Sequence, residues 1–343
     1  MLAALACAIG LQAQSVSTDK WQKKQFDIAV TGGTTGIGFD LGYRPLDLLR
    51  VRAGFAWMPH WRHNMNFGVE IYDDLKGEKV TNQAKTFQRW SGYLQQLTGL
   101  AVEPSVDMIG EPTYWNGKVL FDIYPLKDKR WRVTAGLFVG PKRIAKAYNT
   151  TESMASLLAM NIYNNMYDKA LRDEPLLTIT NANGTTTDIN IGDGTIQTTL
   201  INTGRMGIHM GDYNYDTYAP EELWIFKNGE IIHVEEGEVR HNAPYMMTPD
   251  QDGMAKAEVL VNSFKPYVGL GFDGKLSKSG EWTLGVDAGL MLWGGSPKVV
   301  THDGIDLMHD VDNVPGKVGD YVDRIRTLKV MPVLELRLAK KLF

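Results

Sequence analysis

The feature that most constrains this chain is an alternation of period two whose second face is unusual. In segment after segment every second residue is apolar, the mark of a strand with two unlike faces. Trp282, Leu284, Val286, Ala288, Leu290 and Leu292 alternate with Thr283, Gly285, Asp287, Gly289 and Met291. Leu49, Val51, Ala53, Phe55 and Trp57 alternate with Arg50, Arg52, Gly54 and Ala56, and Trp131, Val133, Ala135, Leu137 and Val139 alternate with Arg132, Thr134, Gly136, Phe138 and Gly140. Shorter stretches repeat the pattern at residues 37–44, 119–124, 268–273 and 334–338. In a water-soluble sandwich the face opposite the core would be broadly polar. Here it is glycine with isolated charges of both signs, which fits the lumen of a narrow barrel, where small residues make room and lone charges must pair. The pattern implies an all-β fold, a closed antiparallel transmembrane β-barrel with its apolar face toward lipid. A soluble β-sandwich or lectin-like fold is the other architecture that alternates.

Composition points the same way. No run approaches the roughly 18–20 apolar residues of a membrane-spanning helix, which excludes a helical membrane protein. Gly 35, Tyr 14 and Trp 9 suit strands that pack closely and anchor at an interface. A net charge of -4 gives no footprint for a nucleic-acid partner.

Connection lengths supply the topology. Residues 45–48, 125–129 and 274–280 are short turns, whereas residues 58–115, 141–264 and 294–328 form long connections. Short periplasmic turns and long extracellular loops are the layout of outer-membrane barrels. With both termini periplasmic, the segments from Ile37 onward need one further strand before them, and residues 25–31 supply it, with Phe26, Ile28 and Val30 outward and Asp27, Ala29 and Thr31 inward. The count is then eight. A single long strand over residues 29–44, or a further pair hidden in the second long loop, would change it. Trp57 and Trp293 at one end of the strands, and Trp131 and Trp282 at the other, are the expected aromatic girdles.

Residues 2–11 (LAALACAIGL) have the length of a signal-peptide core, followed by Gln12-Ala13-Gln14 and a polar stretch; this predicts a signal peptide over residues 1–14 and a mature barrel over residues 15–343. No basic residue precedes the apolar core, so the start could lie upstream. Cys7 is the only cysteine, which rules out an internal disulfide and a cysteine metal site. A lipoprotein attached through Cys7 would need a better lipobox than Ala4-Leu5-Ala6.

The loops carry their own signals. Phe87, Trp90, Leu94 and Leu97 keep helical spacing, and residues 152–171 read as a helix capped by Thr150 or Thr151. Residues 224–227 and 230–233 flank Asn228-Gly229, a strong hairpin pair, and residues 316–326 read as a short helix leading into the last strand. Folded loops follow.

Residues 33–44 (GTTGIGFDLGYR), followed by a short turn and Val51-Arg52-Ala53-Gly54, resemble the opening hairpin of small Gram-negative outer-membrane barrels of the broad OmpA and OmpX kind. Asp122-Ile123-Tyr124-Pro125 leading to residues 132–136, residues 265–271, and residues 287–290 ahead of residues 295–298 are similar to the same family. The resemblance covers the strands and leaves the long loops unmatched. It implies a place, the outer membrane, and a partner, the barrel-assembly machinery, reached through a terminal strand ending at Phe343. One departure is that Phe343 shares its phase with Lys341, Ala339 and Arg337 rather than with the outward leucines, so a bulge would be needed to restore the aromatic to the outward face.

Motifs that could carry chemistry read as structural. Gly269-Leu270-Gly271-Phe272-Asp273-Gly274 matches GxGxxG, but a nucleotide site needs a helix to follow, and here a turn and another strand are expected. His60 and His63, or His302 and His309 with Asp303 and Asp310, are metal-ligand types at chance spacing. Asp250-Gln251-Asp252-Gly253 opens like a calcium loop without its distal glutamate and reads as a turn. Asp27, Asp40, Asp122, Asp287 and Glu335 with Arg50, Arg52, Arg132 and Arg337 lie on separate strands facing one interior, which predicts a salt-bridged plug rather than acid/base chemistry. The sequence therefore names no catalytic, cofactor-binding or metal residue. It points to a non-enzymatic barrel that contacts outer-membrane lipid and anchors large loops, in a structural or surface-binding role toward a ligand or partner protein. A small-solute channel is the alternative.

Overall fold

The structure, a computed structural model, describes residues 25–73, 78–79, 83–99, 102–175, 177–180, 184–189, 195–213, 217–218, 223–227, 230–235, 239–240, 244–327 and 329–342. Residues 1–14, expected to be a signal peptide, and Phe343 lie outside them. Eight strands close into one barrel: β1 (Gln25–Gly33), β2 (Gly36–Leu46), β3 (Leu49–Trp57), β4 (Trp115–Ile123), β5 (Trp131–Val139), β6 (Phe264–Lys275), β7 (Trp282–Leu292) and β8 (Val330–Lys341). Every neighbour is antiparallel, and β8 closes onto β1 with Val30 opposite Leu338. The expected eight strands and their order are observed, including β1 and its tight turn into β2.

Side chains alternate as the sequence requires, but the polarity is inverted relative to a soluble protein. Leu41, Val268, Leu270, Leu334 and Leu336 are each more than half exposed on the outer wall, while Arg52, Arg132 and Arg337 are fully buried inside it. The glycines of the inner face give these side chains room. At Gly271 an added Cβ would lie 2.6 Å from Cζ of Arg132, closer than real Cβ contacts come, so that guanidinium occupies the space a side chain would take.

Three strands run further than their alternation shows. β4 begins at Trp115, β6 at Phe264 and β8 at Val330, because Gly117, Pro266 and Pro332 stand at outward positions and read as interruptions. The register of β8 is continuous through Lys341 opposite Asp27 and Lys340 opposite Trp282, so no bulge shifts the phase up to that point. Lys340 takes the outward place, its Nζ 5.5 Å from the Trp282 ring, and exposed Leu342 follows, its amide bonded to the Phe26 carbonyl at 2.9 Å.

The long connections are not separate loops. Strands His63–Gly68, Ser105–Pro112, Arg143–Asn149, Lys256–Leu260 and Lys298–Thr301 form a five-stranded sheet in the spatial order of β3 to β7, so the barrel wall continues upward on one side. Helices α1 (Gln83–Thr98), α2 (Met154–Leu171) and α3 (Thr195–Thr203) and a second sheet centred on Arg205–Tyr213 pack on it. Their shared core includes Trp90 and Val106 from the first connection, Met160, Tyr163 and Met206 from the second, and Val299 and Met308 from the third. Tyr163 donates to the Gly204 carbonyl at 2.7 Å, and Asn164 on α2 bonds both backbone groups of Met206. The α2 cap is Ser153, which makes no side-chain capping bond; Thr150 instead accepts the Ser153 amide through its hydroxyl. The hairpin Leu223–Lys227 with Glu230–Val234 and the helix α4 (Gly316–Thr327) occur where the sequence places them. α3 was not legible, since its threonines favour other conformations. Among the described residues no helix is long and apolar enough to cross a membrane.

Candidate functional site

The barrel interior is filled by two stacked layers. The layer toward the short turns is ionic. Arg52 forks onto Asp122 with two contacts of 2.8 Å and reaches Asp287 at 3.3 Å and Asp40 at 3.4 Å. Arg50 holds Asp122 at 2.8 Å and Asp273 at 3.4 Å. Arg132 pairs with Asp273 and, at 2.7 Å, with Asp287. Arg337 pairs with Asp27 and lies 3.6 Å from Asp40. Lys118 bridges Asp40 at 2.9 Å and Glu335 at 2.7 Å. Tyr124 covers the turn end, donating to Asp273 at 3.1 Å while the Arg44 guanidinium sits 4.1 Å over its ring.

All nine inward charges named from the sequence, Asp27, Asp40, Asp122, Asp287, Glu335, Arg50, Arg52, Arg132 and Arg337, fall in this one network. Sequence reasoning left out of that set Lys118, which lies between the connection ending at residue 115 and the alternation beginning at Val119, and Asp273, whose phase was legible. Buried charges tolerate the interior only when paired and hydrogen-bonded. Each carboxylate here has a basic partner.

The layer toward the long connections is aromatic and apolar. Tyr114, Leu120, Phe138, Tyr267, Met291, Trp293 and Val333 form one cluster. Phe138 meets Tyr267 edge to face at 5.5 Å, and Tyr114 points its hydroxyl at the Met291 sulfur, 3.1 Å away. Trp293 is therefore not part of a girdle: it follows outward Leu292, takes the inward phase and is buried. Trp115, opposite Trp57 in the register and exposed, stands where the second outer tryptophan was expected. Lys265 is buried in this layer and donates to Asn116 Oδ1 at 3.2 Å.

The remaining candidates have local structural work. Gly269 to Gly274 lie inside β6, which leads through a turn into β7. Asp250 accepts the Asp252 and Met254 amides at 3.0 and 2.8 Å, and is a turn. His309 bonds Asp306, which itself caps the Val299 and Met308 amides, and Asp310 accepts the Asp306 amide. Tyr245 donates to Asp303 at 2.6 Å; burial and then that carboxylate push its hydroxyl well above the ordinary tyrosine range, so it remains a donor. His302 accepts weakly from the Lys256 amide, and His60 and His63 lie exposed beyond β3. Among the described residues no three His, Cys, Asp or Glu side chains converge as metal ligands.

No protein-family profile matches this chain, and no curated protein matches it. Solved structures with which it aligns include CarO2 and CarO of Acinetobacter baumannii, each 12% identical, at TM-scores of 0.35 and 0.34. The alignments cover 93% of this chain and 98% of CarO2, and 94% of this chain and 99% of CarO. A major outer membrane protein from Thermus thermophilus is also 12% identical, over 94% of this chain and 100% of that one, at a TM-score of 0.24. Scores this low add nothing to the closure of the barrel, which its own strand register establishes.

Proposed function

We propose that this protein is a bacterial outer-membrane barrel of the small OmpA and OmpX kind, whose lumen is a sealed anchor and whose working part is the folded cap built from the three long connections. The single observation that carries this is the inverted burial: a continuous belt of exposed leucine, valine, isoleucine and phenylalanine outside, and a paired ionic network inside. An apolar belt of that extent is aggregation-prone in water and at rest in lipid. Closure leaves no sheet edge in the barrel, which lipid requires. The cap then stands outside the cell, binding a surface ligand, a partner protein or a neighbouring cell, and the terminal strand β8 is what the barrel-assembly machinery would receive. The role is non-enzymatic.

With both lumen layers filled, the refolded protein is expected to show no steady single-channel conductance in planar bilayers, while unboiled protein migrates differently from boiled protein in SDS gels. Steady conductance that vanishes when the inward charges are mutated would make it a small-solute channel instead. Identical mobility of boiled and unboiled protein, with release from membranes by a high-salt wash, would remove it from the membrane altogether.

Tryptophan depth gives a second check. Trp57 and Trp115 at one end of the wall and Trp131 and Trp282 at the other are exposed, whereas Trp293 is 8% exposed inside the barrel. Single-tryptophan variants in brominated-lipid vesicles are expected to show strong quenching at headgroup-proximal label depths for the first four and weak quenching at every depth for Trp293. Quenching of Trp293 comparable to Trp57 would show that the phase at the end of β7 is wrong.

A further inference from the structure

On the outward wall one rung is half empty. Phe55 on β3 faces outward opposite Gly117 on β4, which adds no side chain, and on the next rung Trp57 faces Trp115. Phe55 stacks on Trp115 at 5.8 Å. Beside this gap lies a cleft of about 540 Å³ walled by Phe55, Trp57, Met58, Tyr114 and Trp115, with His60 and Thr113 toward the cap. It falls in the size range of small-molecule sites, yet its walls offer almost no polar group. Two residues past His60 in the chain is Arg62, whose side chain is 70% exposed and whose carboxylate neighbour, Glu111, is 3.9 Å away. Glu111 is already engaged by Lys146 at 2.7 Å, and that bond holds its carboxyl below the usual range. Arg62 therefore has donors to spare two residues from a side chain that lines the slot.

We propose that this cleft is a lipid site, taking one acyl chain of a phosphorylated outer-leaflet lipid while Arg62 and His60 hold its phosphate. The proposal rests on the membrane placement given above. The occupant follows from continuity and charge: three of the walls, Phe55, Trp57 and Trp115, are outward side chains at the ends of β3 and β4, at girdle depth, where chains meet headgroups. A guanidinium fork is the group that grips phosphate with two parallel bonds.

The test uses the full chain, refolded in detergent, with retained lipid counted by native mass spectrometry. The probes are bisphosphorylated lipid A, the same lipid dephosphorylated, and inorganic phosphate. One lipid A per barrel is expected to survive, not displaced by inorganic phosphate, with a preference of about three- to fivefold over the dephosphorylated form. Arg62→Gln is expected to abolish that preference. At Gly117, opposite Phe55 in the register, an added Cβ would meet only the Val139 carbonyl oxygen, at 3.8 Å, so Gly117→Phe adds a ring next to the Phe55 and Trp115 walls and is expected to lower retention by about tenfold. Retention by Gly117→Phe equal to the parent, equal retention of both lipid forms, or displacement by inorganic phosphate overturns the site. Should Gly117→Phe not fold, the Arg62→Gln result decides alone. An unboiled gel shift run in parallel separates the two ideas: a shift without retained lipid defeats only the lipid site, whereas no shift in the parent chain defeats the membrane placement as well.

Discussion

Lys118→Met is expected to destabilise the barrel by about 3–5 kcal/mol, the cost of leaving a buried charge without its partner. Lys118 is wholly buried and bridges Asp40 and Glu335. Asp40 would keep Arg52 at 3.4 Å and Arg337 at 3.6 Å. Glu335 would keep only the Thr35 hydroxyl, 3.2 Å away, since Lys118 is its one basic partner among the described residues. Methionine replaces the stem and nothing of the charge, so most of the loss comes from the stranded carboxylate. It follows that Lys118→Met with Glu335→Leu should cost much less than the single change, because the double variant removes both charges together. Urea-dependent refolding into lipid vesicles measures each. A single variant within about 0.5 kcal/mol of the parent, in the range of ordinary surface changes, would show that water reaches this network and that the lumen is not sealed.

Lys118 also shows why part of the site was hidden. Asp122 and Arg132 were legible because their strands alternate cleanly around them, and a charge on the second face of such a strand has only the lumen to enter. Lys118 shares the Asp122 phase, four residues away, but outward Gly117 breaks the apolar rhythm and leaves Phe55 without a partner across the rung on β4. Period-two reasoning thus locates a strand wherever both faces keep their character and fails where one rung is left empty. Trp293 fails for a related reason: large aromatics at strand ends read as girdle residues, although the parity from Leu292 already places it inward.

The cap was legible only in pieces. α2 carries Leu157, Met160, Tyr163, Tyr167 and Leu171 at helical spacing, all buried, so its existence followed from sequence. Its partners did not. Arg143–Asn149 pairs with Ser105–Pro112 on one side and Lys256–Leu260 on the other, joining connections whose strands are tens of residues apart and individually short. The consequence for function is that no single connection can be trimmed as a surface loop. Removing the second would take out the centre of the five-stranded sheet and half the core shared by the other two.

The environment of the outer wall is open to the sharpest test at Val286. It lies midway along β7, outward, opposite Phe272 on β6 and Leu336 on β8, with Trp282 four residues toward the turn end. In lipid an arginine near the bilayer midplane of a barrel costs about 2–4 kcal/mol, falling to about 0–1 kcal/mol near the interfaces. Val286→Arg should therefore lose about 2–4 kcal/mol of folding free energy in vesicles. Leu290→Arg is only two residues from the strand's loop end at Leu292, where the long stem can carry its charge to the headgroups, and should lose about 1 kcal/mol. Thr283→Ser, on the inward face, should be nearly silent. In water this ordering disappears, since an arginine on an exposed leucine or valine position is well solvated at any height along the strand. Equal and small costs at residues 286 and 290 would mean that the belt faces water or protein, and a larger cost at residue 290 would mean that the bilayer is centred nearer the cap than the tryptophan girdles imply.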